Sequence, residues 1–438
     1  MTPGAQRPAP AGLSYVGEQM SRMSGLRSLM EDIATSTAGD TTGEWLNLSI
    51  GNPAAIPSVA AMWRDLTRHA HAESFADAGK YGPSRGTPAL VSAIADYFRG
   101  HLGWKIGSEN IVIGPGSQLL CFIAAALYAG PGSAGPRSVL LPMTPDYTGY
   151  QGLCTVPGGV AGVESPPVPA DGHLFRYILD LDAVARIQDP GMLLLSSPCN
   201  PTGRAVTPAE QDGLIKIAER LDLPLIVDHA YGQPFPQIAP TQAPPALHPN
   251  VVNCFSLSKM GLPGERIGFA IGSERFITPF VSFLSNSVLH APRLAQAAAA
   301  EGLRSGAIDD AVSTAIRPFY AERRLLAEKL LISAMPADVD WRLHANEGGM
   351  FAWIWVNADW FDDLALYRQL KERRVFVAPG RSFFTATPRP AQHGTQCFRI
   401  TLSVDQDVLI EGIRRIGQAL VRARPPHASP HDWKEVSR

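Results

Sequence analysis

The 438-residue chain is poor in charge. Lys, Arg, Asp and Glu make up 18% of it, below the roughly 25% of an average globular chain. The 38 basic and 40 acidic side chains leave a formal net charge of −2. Neither sign dominates, so the balance offers no field to hold nucleic acid or an anionic membrane surface. Cysteine is scarce too. There are five, at Cys121, Cys154, Cys199, Cys254 and Cys397. The count is odd, the spacing is wide and no CxxC pair occurs, which argues against a disulfide framework or a zinc site. The eleven histidines show no metal-ligand spacing, so no metal is expected. No window holds the roughly 20 apolar residues of a membrane-spanning helix. No charged start followed by an apolar stretch marks a signal peptide. These absences leave a reduced, cytoplasmic, globular protein.

What is present is core material. Hydrophobic residues make up 45% of the chain. Glycine and proline number 40 and 38, which implies many turns. Short apolar runs alternate with amphipathic stretches, the pattern of an α/β layer structure. Strands are expected near 111–113, 138–141, 192–196, 225–227, 251–255 and 268–271. They are β-branched and nearly unbroken, as suits strands buried on both faces. Helices are expected at 88–98, 118–129, 208–220 and 291–304. After about residue 310 the texture changes to a smaller α+β unit, with a helix over 316–332, apolar strands near 350–356, 375–377 and 399–402, and a last helix over 408–421. Residues 1–15 and 424–438 read as mobile tails.

Four segments carry candidate chemistry, each after an apolar strand. In N-C-F-S-L-S-K-M-G-L-P-G-E-R-I-G (253–268), Lys259 stands beside Ser256 and Ser258 and seven residues before Arg266. A neutral lysine amine can form a Schiff base with an aldehyde. Serine hydroxyls and an arginine suit a phosphate. A solvated lysine in a Gly-Pro turn fits this stretch equally well. In I-V-D-H-A-Y (226–231), Asp228 ends a strand at the edge where open α/β sheets bind ligands. It could pair with a protonated ring nitrogen, or simply cap a loop. In S-S-P-C-N-P-T-G (196–203), two prolines and a glycine hold Asn200 in a rigid turn. In G-P-G-S-Q (114–118), a Gly-rich loop opens a helix and could cradle a phosphate on backbone N–H groups. Each is weak alone. All four in order, each after an apolar strand, are not.

The set resembles the fold-type I pyridoxal 5′-phosphate (PLP) enzymes, specifically class I/II aminotransferases, over about 20–423. More narrowly it is similar to the valine–pyruvate aminotransferase family. The supporting strings are S-G-L-R-S-L-M-E-D (24–32), G-N-P-A-A-I-P (51–57), Y-G-P-S-R-G (81–86), P-D-Y-T-G-Y (145–150), D-H-A-Y-G-Q-P-F-P (228–236), S-L-S-K-M-G-L-P-G-E-R-I-G (256–268), P-G-R-S-F-F (379–384) and C-F-R-I (397–400). The resemblance implies a large PLP-binding domain (61–305) with a mostly parallel central sheet flanked by helices. It implies a smaller α+β domain at 306–423, with 16–60 joining it.

By the same resemblance, Lys259 would carry the cofactor as an imine and move the substrate proton. Asp228 would face the pyridine nitrogen. Tyr231 and Asn200 would bond the phenolic oxygen. Ser117, Gln118, Ser256, Ser258 and Arg266 would hold the phosphate, and Tyr147 would stack on the ring. Tyr81 would reach the neighbouring site of a homodimer. Arg399 would grip the substrate carboxylate, with Gly51 and Asn52 on the substrate side. The implied activity is ping-pong transfer of an amino group between an amino acid and a 2-oxo acid. Lyases, decarboxylases and oxidases share this fold, and the residues alone do not separate them. No second arginine stands out for an acidic side chain. Ile56, Met350 and Phe351 would suit a small aliphatic one. His229 and Cys199 depart little in consequence: the first is expected to be a backbone-driven position, the second a small buried residue.

Overall fold

The structure, a computed structural model, describes residues 12–21, 25–40, 43–133, 135–153, 156, 158–238, 243–386 and 392–423. The expected tails lie outside these residues at 1–11 and 424–438, as does Cys154. Residues 12–14 lead directly into the short helix Tyr15–Met20.

A mixed eight-stranded sheet forms the centre. From one side its strands are Ile111–Gly114, Gly268–Ile271, Val251–Ser256, Leu225–Asp228, Pro190–Ser196 and Gly135–Thr144, with two short strands beyond. Five of them run in the same direction, while Gly268–Ile271 is antiparallel to both its neighbours. All six expected strands are present. Most of their side chains are fully buried, because helices cover both faces. Ser117–Tyr128 and Glu274–Ser287 pack on one face, and Pro88–Leu102 and Arg293–Arg304 on the other.

Two long helices carry weak signals in the sequence. Pro57–Ala78 buries only Val59, Trp63, Leu66 and Ala70, a single narrow stripe in a run of Ala, His and Arg. Glu274–Ser287 contains Pro279, which reads as a breaker.

A second sheet of six strands is ordered Ala378–Pro379, Cys397–Thr401, Phe351–Val356, Trp341–His344, Leu174–Tyr177 and Pro167–Pro169. The last two come from the middle of the chain, far from the segments around 350–400 that the sequence assigns to this unit. Leu174–Tyr177 pairs parallel with Trp341–His344. The N-terminal segment joins the same side: Leu46–Asn47 pairs with Val375–Phe376. Asp32 binds Lys371 Nζ at 2.7 Å and the Tyr367 hydroxyl at 2.6 Å.

Register fixes one functional edge on the large sheet. Asp228 is opposite both Ser196 and Cys254, Ser256 is opposite Gly268, and Gly268 is opposite Gly114. The parallel strands all end here and the antiparallel one begins here. The loops after residues 114, 144, 196, 228 and 256, and the one before 268, therefore meet at one place.

Candidate active site

At this edge the strand Val251–Ser256 gives way to a single tight turn, Ser258–Met260, that places Lys259. Gly261 ends the turn at φ 102°, a conformation that side chains with a Cβ resist. The Trp63 indole N–H donates to the Met260 carbonyl at 2.6 Å and pins the turn. The Lys259 ammonium donates to the Gly51 carbonyl and lies 5.5 Å from the centre of the Tyr231 ring. Burial, reinforced by the positive charge of Arg399, lowers its pKa to about 8. The amine is thus brought toward its neutral, nucleophilic form near physiological pH.

Asp228 closes the strand Leu225–Asp228 and is 5% exposed. Its Oδ1 accepts the Ala230 N–H at 3.0 Å, and its Oδ2 accepts the Tyr150 hydroxyl at 3.2 Å. Burial pushes its pKa up to about 6 and these hydrogen bonds oppose the rise. A protonated ring nitrogen opposite it would favour the carboxylate form further.

Tyr231 is buried, and burial raises its phenol's pKa. Its hydroxyl accepts from Asn200 Nδ2 at 3.4 Å, and Asn200 Oδ1 accepts from Arg399 Nη1 at 2.7 Å. Arg399 is 1% exposed. It also donates to the Ser49 carbonyl at 2.6 Å. Its guanidinium carbon lies 3.9 Å from the centre of the Phe351 ring and 5.0 Å from that of Phe383. Among the described residues no carboxylate pairs with it. Its Nε is buried without a partner, and burial lowers its pKa to about 10. A buried guanidinium with unused donors and no anion has the chemistry of a carboxylate receptor.

The serine-rich loops gather on the other side. Ser117 opens the helix Ser117–Tyr128 after Gly116 at φ 85°. A Cβ on Gly268 would lie 2.8 Å from the Ser117 nitrogen and 2.7 Å from the Phe255 carbonyl, so only glycine lets this helix start against the sheet. The Ser256 and Ser258 hydroxyls are 3.0 Å apart. Arg266 bonds Ser258 Oγ at 3.3 Å and the Pro263 and Pro115 carbonyls at 3.1 and 3.4 Å. Gln118 donates to the Gly149 carbonyl at 3.1 Å while its Oε1 is buried without a partner. Tyr147 meets Tyr150 edge-on at 5.3 Å.

The sequence reading missed several supporting groups. Asp146, fully buried, accepts from the Tyr147 N–H at 2.6 Å, the Ser196 N–H at 3.2 Å and the Ser196 hydroxyl. The Cys199 thiol also faces it at 3.6 Å. This carboxyl ties the Tyr147 loop to the Asn200 turn, and burial pushes its pKa up to about 7. Tyr150 and Cys121 both face Asp228. The string P-D-Y-T-G-Y contains Asp146 and Tyr150, but nothing local distinguishes them. A further arginine, Arg27 on the helix Gly25–Thr37, contributes positive potential at Tyr147. The sequence did not single out this cation.

Other residues stand apart. Tyr81 is 85% exposed and touches the His290 ring edge-on. Asn52 is exposed, whereas Gly51 borders open space. Met350 and Phe351 are buried and Ile56 is half-buried against the same cluster as Tyr231. His229 is 2% exposed, bonded to Asn253 Oδ1 at 2.9 Å and stacked on Phe255. Burial lowers its pKa to about 4 and keeps it neutral. Among the described residues no group of three His, Cys, Asp or Glu could hold a metal ion, and no helix is long and apolar enough to cross a membrane.

Comparison with known proteins agrees with this geometry. The family profile described as aminotransferase class I and II matches residues 43–416. The valine–pyruvate aminotransferase of Escherichia coli K12 is 31% identical over 421 residues, covering 94% of this chain and 98% of the relative. The crystal structure of a putative amino-acid aminotransferase from Psychrobacter arcticum 273-4 is 30% identical with a TM-score of 0.88, covering 94% and 98% of the two chains. That of the valine–pyruvate aminotransferase from Salmonella typhimurium LT2 is 30% identical with a TM-score of 0.82, covering 91% and 99%.

Proposed function

The chain belongs to the class I and II aminotransferases, PLP-dependent enzymes of fold type I, and from that premise we propose how its residues divide the work. Lys259 would bind the cofactor's aldehyde carbon. Asp228 would pair with the pyridine nitrogen, Tyr231 and Asn200 would bond the phenolic oxygen, and Tyr147 would stack on the ring. Ser117, Gln118, Ser256, Ser258 and Arg266 hold the phosphate at the start of the helix Ser117–Tyr128. The donor set fits the group: a lysine with a depressed pKa, a buried carboxylate and a serine-arginine cradle surround open space beside Gly51. When bound, PLP supplies an electron-accepting ring that stabilises charge at the substrate's Cα.

The protein's own steps follow from position. Arg399 takes the substrate carboxylate and frees the Asn200 and Ser49 oxygens it now contacts. With PLP bound, the Lys259 amine would be placed to take the proton from the substrate's Cα and to return it. The buried Asp228 carboxylate would favour the protonated form of the cofactor's ring nitrogen. Anchoring at Arg399 and Asp228 fixes the Cα–H bond relative to the ring, so orientation lowers the barrier. The single observation that carries this reading is the buried, anion-free Arg399 held on Asn200 beside Lys259 and Asp228.

The proposed reaction is ping-pong transfer between an amino acid with a small aliphatic or non-standard side chain and a 2-oxo acid. The apolar wall of Met350 and Phe351 supports this choice, as does the similarity to valine–pyruvate aminotransferases. The proposal includes a cytoplasmic homodimer. The exposed Tyr81 ring would then reach the neighbouring site, and four buried free cysteines suit a reducing compartment. It also includes a large unit over 61–305, less the strands Pro167–Pro169 and Leu174–Tyr177 that pair into the second sheet, and a small one over 306–423 joined by 16–60.

An absorbance titration of the holoenzyme tests the reading. An amino acid alone should convert the cofactor's visible band to the aminated form, and a 2-oxo acid should restore it. Release of ammonia, CO₂ or an olefin in place of that exchange would move the assignment to another reaction on the same fold.

A further inference from the structure

A cavity of about 400 Å³ lies away from the lysine edge, between the helix Arg317–Ala334 and the second sheet. Its apolar wall includes Leu174, Leu325, Leu343 and Leu402, and its charged groups include Arg324 and Glu328. These two are four residues apart on one helix, so they share a face. Among the described residues neither forms an ion pair. Arg324 is half-buried, and its Nη1 is shut off from water with no hydrogen-bond partner. Burial lowers its pKa, and no neighbouring charge is strong enough to counter this. The other pair of opposite charges in the lining, Arg176 and Glu347, is already joined. The cavity thus offers one free cation, one free anion and an aliphatic wall.

The lining also touches the catalytic apparatus. Phe351 borders the cavity, and its ring packs against Arg399. Asn346 and Glu347 belong to the same lining. The Glu347 N–H donates to the Gly203 carbonyl at 3.0 Å, and the Ala205 N–H donates to Glu347 Oε2 at 3.2 Å. Gly203 is at φ 73°, and a Cβ there would lie 2.2 Å from Asn346 Oδ1. This contact leaves no slack between the cavity wall and the turn that holds Asn200. An occupant pressing on Asn346 and Phe351 would therefore act on Asn200 and Phe351, two of the four residues that touch the Arg399 guanidinium.

We propose that this cavity is an effector site for an α-amino acid with an apolar side chain, bound through its carboxylate to Arg324 and through its ammonium to Glu328. Occupancy tunes the affinity of Arg399 for the substrate carboxylate. This second clause rests on the role proposed for Arg399; binding itself does not.

The test uses holoenzyme treated with borohydride, which fixes the cofactor to Lys259 and closes the catalytic site to amines. Turnover surviving that treatment would show that the assignment of Lys259 has failed, separately from the effector site. L-Leucine titrated into the sealed enzyme by calorimetry should bind saturably, one per chain. Arg324→Gln and Glu328→Gln should each weaken it about tenfold, the scale of one charge-assisted hydrogen bond. The two variants are independent, so misfolding of one leaves the other decisive. Absence of saturable binding, or equal binding by both folded variants, overturns the site. Equal binding of 3-methylbutanoate, which lacks the ammonium, overturns the amino-acid assignment. In unreduced enzyme, leucine should shift the KM for L-alanine more in the wild type than in Arg324→Gln, because competition at the catalytic site is common to both. An identical shift overturns the coupling.

Discussion

The two ends of the proposed active site, the phosphate end at Arg266 and the carboxylate end at Arg399, are built on opposite principles. At the phosphate end Arg266 is exposed, and its guanidinium rests on two backbone carbonyls and one serine hydroxyl. Every candidate there lies within a few residues of a strand end. At the carboxylate end Arg399 is buried between two phenylalanine rings and bonded to residues about 200 and 350 positions away in the chain. An exposed cation loses little by exchanging water for an anion and gains correspondingly little. A buried one has already lost its water, so an incoming carboxylate replaces neutral dipoles with a full opposite charge. The phosphate end therefore anchors through many modest contacts. The carboxylate end discriminates through one strong contact.

Substitutions should separate the two ends. The largest effect is expected between them, at Lys259→Ala. Both ends remain, so cofactor and amino acid should still bind, but single-turnover transamination should fall by about 10²–10⁴-fold or more, the range of general acid–base catalysis. Normal turnover would remove Lys259 from the mechanism. Next comes Arg399→Ala, where the donor KM should rise by about two orders of magnitude, as for truncating one partner of a buried charge pair. The cofactor's visible band should stay unchanged. An unaltered KM would mean that another cation holds the carboxylate, and Arg27 near Tyr147 would be the first to examine. Arg266→Ala should show the reverse pattern and a smaller size: cofactor affinity lower by about tenfold, donor KM unchanged. Equal losses at Arg266 and Arg399 would dissolve the contrast between the ends.

The same contrast governs what was legible in the sequence. Lys259, Asp228, Asn200 and Ser117 each follow a buried apolar strand, and the parallel register sends those strand ends to one edge, so their convergence could be read from local pattern. Arg399 could not be found that way. It sits inside the strand Cys397–Thr401, where spacing alone reads it as one polar residue among apolar ones, and only the family resemblance marked it. Asp146 and Tyr150 carry no local signal, since their roles arise from hydrogen bonds to Ser196 and Asp228, 50 and 78 residues away. The strand Leu174–Tyr177 escapes a local reading for a related reason: it is four residues long and pairs across 169 positions with the C-terminal sheet. Non-local pairing leaves no periodicity to read.

The smallest effect concerns pH, and it sharpens the comparison at its midpoint. Burial favours the neutral form of Lys259 and moves its pKa from 10.5 down to about 8. The apoenzyme's amine should therefore become reactive as pH rises through about 8, not through 10.5. From pH 7 to pH 8 its neutral fraction should grow by about fivefold, and the rate at which added PLP forms its covalent link should follow before levelling off. Arg399 contributes to this shift by its charge, whereas burial dominates. Replacing Arg399 with alanine should therefore move the midpoint upward only in part. A midpoint unchanged in Arg399→Ala would show that the carboxylate end is electrostatically silent at the lysine. A midpoint near 10.5 in the wild type would show that water reaches the amine and that burial does not depress its pKa.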